Sequence, residues 1–291
     1  MSRHAIVSLI LSGLTILLAT ASLLGQTTQP TTAPAVLLPE RTTAFGISLP
    51  EMLQTVSVTI KSGTGTGSGV VVTRDGVNYI WTAAHVVADN RKVREVIDSA
   101  SGTKRTIVEF EDVGVVQSLY EQGRKVGQLE MLAEVLKYSD ADHGEDLALL
   151  RIRKQNFIRD SAAFFLASEI PAPGTDLLHV GSLLGQLGSN SVTDGIVSQT
   201  GRLHESKVFD QTTVTAFPGS SGGGVFRKSD GLYVGMLVRG AGETFNLMVP
   251  IRRIREWATK VGVLFALDPS VPVTPLAGTP VEETGRTFKS N

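Results

Sequence analysis

The chain contains no cysteine. Disulfides and thiolate zinc sites are therefore excluded, and the fold must be stabilised by packing alone. Charge of either sign is also not in excess: 27 Lys and Arg stand against 28 Asp and Glu, for a net charge of −1. Nothing in that balance provides an electrostatic footprint for nucleic acid or for an anionic membrane surface. No internal repeat is present. The glycine-rich run Gly63-Thr64-Gly65-Thr66-Gly67 lacks a Gly-Lys-Ser/Thr sequence and a strand-loop-helix setting, which argues against a phosphate-cradling loop. His143, His179 and His204 are too scattered to assemble a metal site, so neither metal nor other cofactor is expected.

What is present begins with an apolar N-terminus. Residues 5–25 carry no charge and follow Arg3. The run is long enough to span a bilayer, while Ala19-Thr20-Ala21 offers a small-x-small cleavage site. Residues 1–25 are thus expected to be a signal peptide or a membrane anchor, placing the protein in the periplasm, outside the cell, or tethered to the membrane. Residues 26–44, with Pro30, Pro34 and Pro39, read as a Thr/Pro-rich linker. About 220 residues remain for a folded part, enough for a substantial core.

Three short segments carry chemistry. Trp81-Thr82-Ala83-Ala84-His85 offers an imidazole, Asp146-Leu147-Ala148-Leu149-Leu150 a carboxylate, and Gly219-Ser220-Ser221-Gly222-Gly223 a hydroxyl. A serine hydroxyl attacks a carbonyl at neutral pH only when an imidazole takes its proton and a carboxylate holds that imidazole in the right tautomer. Hydrolysis of peptide bonds by His85, Asp146 and Ser221 is the reaction this set supports. Asp142 and Glu145 rival Asp146, but only Asp146 stands at the junction with an apolar strand. Ser220 rivals Ser221, but only Ser221 is followed by two glycines. Chain order discriminates among scaffolds. The Gly-x-Ser-x-Gly nucleophile elbow needs a histidine after the serine, and none follows His204. The subtilisin order needs the acid first, and Asp75, the sole aspartate ahead of His85, lies in the turn-like Arg74-Asp75-Gly76.

These segments resemble the motifs of trypsin-like serine proteases, and in particular the cysteine-free bacterial HtrA/Deg branch. Gly65-Thr66-Gly67-Ser68-Gly69-Val70-Val71-Val72 resembles the opening strand of that branch, Asp194-Gly195-Ile196-Val197-Ser198 a second-barrel strand, and Met248-Val249-Pro250-Ile251 the closing one. The resemblance covers about residues 50–260. It implies an all-β fold of two six-stranded antiparallel barrels with a C-terminal helix, and a protein or peptide substrate. By the same resemblance, the backbone amides of Gly219 and Ser221 form the oxyanion hole, Thr215 with Ala216 and Phe217 forms the substrate pocket, and Leu237-Val238-Arg239 pairs with substrate backbone. Thr215 at the pocket floor, in place of an aspartate, implies a small or medium apolar side chain before the cut. Arg239 is either a subsite for acidic residues or a solvated rim residue. Ser220 stands where zymogens of the family place an aspartate, and no Ile-Val-Gly-Gly-like start exists, so activation by a freed N-terminus is not expected. Relatives in the HtrA branch are trimers; the oligomeric state here is open. Two other functions fit the same fold: a catalytically inactive binding module, which predicts a broken triad, and a membrane-tethered signalling protease of narrow substrate range.

Local patterning agrees with strands. Val56–Ile60 alternates, Val70–Thr73 and Tyr79–Thr82 flank the turn at Arg74–Gly76, and Lys104–Phe110, Glu130–Tyr138 and Leu147–Ile152 read as further strands. His85 is expected on a short helical turn directly after a strand. Glu111–Gln128 reads as a surface loop or a strand extension. A strand-rich block runs from Leu177 to Val249, and Ile251–Ala258 has the apolar spacing of an amphipathic helix. The protease domain is expected over residues 45–265, with barrels of about 45–160 and 161–265. Residues 266–291, rich in Pro, Thr and Gly from Asp268 onward, read as a disordered tail too short for a PDZ domain.

Overall fold

The computed structural model describes residues 47–63, 65–97, 102–121, 123–185, 187–240, 242, 244–274 and 282–284. The expected signal or anchor and its linker lie outside the described residues. Among the described residues, no helix is long and apolar enough to cross a membrane.

The first barrel follows the short helix α1 (Leu49–Thr55). It is built from β1 (Ser57–Ser62), β2 (Gly65–Arg74), β3 (Val77–Thr82), β6 (Val113–Glu121), β7 (Arg124–Ser139) and β8 (Leu147–Ile152). Between β3 and β6 the chain forms a separate ribbon, β4 (Arg91–Ile97) paired with β5 (Lys104–Phe110). The hairpin turn between β2 and β3 sits at Asp75 and Gly76, with φ of 51° and 75°, the doubly left-handed geometry of a tight hairpin. Strand order is β7-β6-β1-β2-β3-β8, and β7 also pairs with β8, so the ring closes. The 16 residues of β7 make this possible: the first part pairs with β6, the last part with β8. Residues 111–128 are therefore a strand extension, not an open loop.

Continuous apolar runs in β2, β3 and β8 have a simple cause. Val71, Ile80, Ala148 and Leu150 fill the first barrel. Their neighbours Val70, Val72, Tyr79, Trp81, Leu147 and Leu149 point the other way, into a core shared with the second barrel and its helix. Both faces are buried, so period-two alternation disappears.

The second barrel comprises β9 (Asp176–Leu183), β10 (Gly188–His204), β11 (Lys207–Thr212), β12 (Gly224–Arg227), β13 (Tyr233–Gly240) and β14 (Asn246–Pro250), closed in the order β10-β11-β14-β13-β12-β9. Helix α2 (Ile251–Lys260) follows and buries Ile251, Ile254, Trp257 and Ala258. Its Trp257 meets Trp81 edge to face at 5.9 Å, and Phe265 meets Tyr79 at 5.2 Å; such pairs add about 1 kcal/mol each beyond burial.

The tail departs from expectation. Phe265, Ala266 and Leu267 are buried. Trp81 Nε1 donates to Ala266 O at 2.8 Å. The Arg74 guanidinium donates to the carbonyls of Phe265, Asp268, Pro269 and Val271. Four carbonyls gathered by one first-barrel cation give Pro- and Ser-rich chain a fixed path that composition does not reveal. Glu282–Thr284 (β15) adds a parallel strand beside β7.

His179, on β9, is fully buried and bonded through Nδ1 to Gly224 O at 2.9 Å. Loss of solvation lowers its pKa from 6.5 to about 4. The folded protein thus holds this ring neutral where the unfolded chain would protonate it. Its contribution to stability is complete above about pH 6.5 and is lost as the pH falls towards 4, amounting to roughly 3 kcal/mol across that window. Urea titrations at pH 7.5, 6 and 4.5 should show a falling midpoint, and His179→Leu should flatten that slope while lowering stability at every pH.

Candidate active site

His85 owes its position to small residues. After β3 ends at Thr82, Ala83 and Ala84 are completely buried and the chain turns through a 3-10 segment, Ala84–Val86. Val86 packs on Gly67 of β2, where a Cβ would lie 2.4 Å from its Cγ1. Gly67 therefore serves close packing under this turn. His85 is left at the rim with 38 % of its side chain exposed.

Asp146 ends a self-bonded loop. Asp140 Oδ1 accepts the N–H groups of Asp142 and His143 at 2.9 and 3.1 Å, and Ser139 Oγ accepts Glu145 N–H at 2.7 Å. Arg253 of α2 donates to the Glu145 carboxylate at 2.6 Å and to its carbonyl at 2.7 Å. Glu145 is thereby committed to Arg253, and Asp146, at φ 56°, turns its carboxylate to the imidazole. A left-handed backbone is a position aspartate tolerates better than most residues.

His85 Nδ1 lies 3.0 Å from each oxygen of Asp146, and the His85 backbone N–H reaches Oδ1 at 3.1 Å. An ionised carboxylate only accepts, so Nδ1 carries the proton and Nε2 presents its lone pair to the cleft. Among the described residues no hydrogen bond joins Nε2 to Ser221 Oγ. The serine turn is nevertheless packed on the histidine's own segment: a Cβ on Gly222 would lie 2.4 Å from Thr82 Oγ1 and 3.0 Å from Ala83 N.

The turn Phe217–Gly223 can be accounted for amide by amide. Phe217 N–H donates to Ser220 Oγ at 3.0 Å, Ser220 N–H to Phe217 O at 2.9 Å, Gly222 N–H to Leu237 O at 2.8 Å and Gly223 N–H to Ser220 O at 2.9 Å. Pro218 has none to give. Only the N–H groups of Gly219 and Ser221 have no partner among the described residues. Two amides left unpaired within one tight turn make a ready site for an oxygen carrying negative charge. Ser220, buried and with its hydroxyl used inside the turn, is a structural residue. Gly219, at φ 97°, could not be replaced without strain, because a Cβ there would fall 2.1 Å from Ser182 O.

The model of the trypsin-like peptidase domain matches residues 67–236, more than half of the chain. The chain belongs to the trypsin-like peptidase family. Solved structures similar to this peptidase include a serine endoprotease from Yersinia pestis, at 20% identity and TM-score 0.53, covering 75% of this chain and 67% of that one. The Rv3671c protease of M. tuberculosis, at 18% identity and TM-score 0.52, covers 78% and 93%. Deg5, at 21% identity and TM-score 0.52, covers 75% and 94%. At these identities the likeness establishes the fold. No curated protein matches the sequence significantly. The peptidase is a serine-type endopeptidase of two-barrel architecture with HtrA/Deg proteases as structural neighbours.

Beside Ser221 the peptidase has a cleft of about 290 Å³, lined by Ala216, Phe217, Leu237, Val238 and Arg239 among others. Thr215, expected as the pocket floor, does not line it. Val214 is buried and its carbonyl is gripped by Asn246 Nδ2 at 2.7 Å, so Ala216 is the first residue of the segment to reach the cleft. Asn246 itself gave no signal in the sequence; it is fully buried behind Gly240 and its Oδ1 has no partner among the described residues. The Arg239 guanidinium lies 3.0 Å from His204 Nε2 and 3.3 Å from Glu205, over the ring of Phe209. Two larger clefts flank α2, remote from Ser221. Among the described residues no group of His, Asp or Glu could hold a metal ion.

Proposed function

We propose that Ser221 is the nucleophile of this endopeptidase, His85 its general base and then acid, and Asp146 the carboxylate that orients the imidazole. Ser221 Oγ bonds to the scissile carbonyl carbon as its proton passes to His85 Nε2. The carbonyl oxygen, now an alkoxide, accepts the N–H groups of Gly219 and Ser221. His85 returns the proton to the departing amine, leaving an acyl-enzyme, and a water activated by the same imidazole releases the acid. The observation that carries this reading is the pair of unpartnered amides beside a serine, opposite a histidine already bound to a buried aspartate. Reaction of the full chain with a fluorophosphonate probe tests it: labelling should vanish in Ser221→Ala and in His85→Ala, and labelling that persists in Ser221→Ala would overturn it.

The cleft supports the preference inferred from the sequence for a small or medium apolar side chain before the cut. Its lining includes Ala216, Leu237 and Val238 and no carboxylate. A peptide library should show Ala, Val or Leu favoured over Lys or Arg by about tenfold or more, because an ammonium or guanidinium would be desolvated there without a counter-charge. Leu237–Arg239, in the part of β13 beyond its pairing with β12, would pair with substrate backbone by strand addition. Arg239 is held by Glu205 and His204, which favours a rim role over capture of acidic side chains.

Location belongs to the same proposal. The uncharged run at residues 5–25 and the Ala19-Thr20-Ala21 site support export across a membrane, with cleavage or retention as an anchor. Sequencing the mature N-terminus distinguishes the two.

A further inference from the structure

Ser68 lies in β2 of the first barrel, 151 residues from the turn it touches, and is almost completely buried. It makes four hydrogen bonds. Its N–H donates to Ser221 O at 2.8 Å, and its hydroxyl donates to Gly219 O at 2.7 Å. The same hydroxyl accepts Ser182 N–H at 2.8 Å, and its carbonyl accepts Thr82 Oγ1 at 2.7 Å. A hydroxyl has one proton to give, and here it goes to Gly219.

Gly219 needs that partner. Contact with Ser182 O demands glycine at this position, and glycine brings no torsional preference of its own. Its φ and ψ must therefore be set from outside, through the peptides on either side. The preceding peptide is held by Leu184 N–H, which donates to Pro218 O at 2.8 Å. Because amide N–H and C=O point in opposite directions in a trans peptide, that bond aims the Gly219 N–H away from Leu184. The following peptide is held by Ser68 Oγ on its oxygen and by Phe217 O on its nitrogen.

We infer that Ser68 is a positioning residue for the oxyanion hole, its hydroxyl fixing Gly219 across the barrel interface so that the Gly219 N–H meets the developing alkoxide. The inference rests on the assignment of Gly219 as an oxyanion donor. It makes the competence of the second-barrel turn depend on a side chain of the first barrel. The Ser68 hydroxyl has no contact with the reacting atoms; it acts on the hole through Gly219.

The test uses the full-length protein with Ser68→Ala, which removes the hydroxyl and keeps the backbone bond to Ser221. Thr59→Val serves as the control. Thr59 Oγ1 is bonded to Ser182 Oγ at 2.5 Å in the same barrel interface but does not touch Gly219. Ser68→Ala should lower kcat about 10- to 100-fold with KM nearly unchanged, somewhat less than the loss of an oxyanion donor itself. Affinity for a peptide boronate, which places an anionic oxygen in the hole, should fall by the same factor, while affinity for an unreactive product peptide stays constant. Thr59→Val should lower the melting temperature and leave kcat in place. Retention of full kcat by Ser68→Ala overturns the inference, as does equal loss of boronate and product-peptide affinity. Failure of the proposed reaction itself has a different signature: Ser221→Ala would then cleave as well as the wild type.

Discussion

Ser221→Ala is expected to abolish cleavage of an unstructured protein such as casein, with kcat falling by roughly 10⁶-fold, the loss seen when the nucleophile of a triad is removed. The residual rate should still exceed the uncatalysed one, because the Gly219 and Ser221 amides and the cleft survive the substitution. Stability should change little, since Ser221 Oγ makes no hydrogen bond among the described residues. His85→Ala should lose about as much, and the double variant scarcely more, because the two groups act as one unit. Gel assays and a melting curve on the same preparations are sufficient. Equal cleavage by Ser221→Ala and wild type would remove Ser221 from the mechanism.

Asp146→Asn carries the second-largest expectation, about 10⁴-fold in kcat. The carboxylate accepts two bonds from His85, the backbone N–H at 3.1 Å and Nδ1–H at 3.0 Å. An amide in its place can turn its NH₂ towards Nδ1, which then accepts, and the proton moves to Nε2 where it blocks the base. The fold should persist, because an asparagine tolerates the left-handed backbone at φ 56° as well as aspartate does. Asp146→Ala keeps neither the tautomer nor the left-handed preference, and should lose stability as well as rate. Activity of Asp146→Asn should recover in part at high pH, where hydroxide competes with the missing base. A variant with near wild-type kcat at neutral pH would exclude Asp146 from the orienting role.

How much of this was legible in the sequence depended on whether a residue acts through its neighbours in the chain or across space. His85, Asp146 and Ser221 each sit in a contiguous setting with a local cause: buried alanines that sink a strand end, an apolar strand that fixes a carboxylate, glycines that let a turn expose two amides. The 147–152 strand is observed over the same residues. By contrast, the β4 strand was not anticipated because its residues are largely exposed and its sequence carries no buried stripe. Ser68 and Asn246 are single polar residues within glycine-rich or apolar surroundings, and their roles arise only when distant chain meets them. Arg253 reads in sequence as the polar side of an amphipathic helix, yet it is nearly buried against Glu145. Thr215 failed for a different reason. The resemblance places Thr215 at the pocket floor only if the loop path is shared, whereas here Val214 is held inward by Asn246 and Ala216 is the first residue of the segment to line the cleft.

The clasp formed by Arg74 and Trp81 on the carbonyls of residues 265–271 bears on how the molecule comes to life during synthesis. A ribosome that has already delivered the histidine, the aspartate and the serine has still not delivered the strap that seals the wall of the opening half. Until that last stretch emerges, the Trp81 indole N–H and the Arg74 guanidinium lack these carbonyl acceptors. Removing residues from 265 onward should therefore lower the melting temperature, because both first-barrel groups would lose the carbonyls they bind.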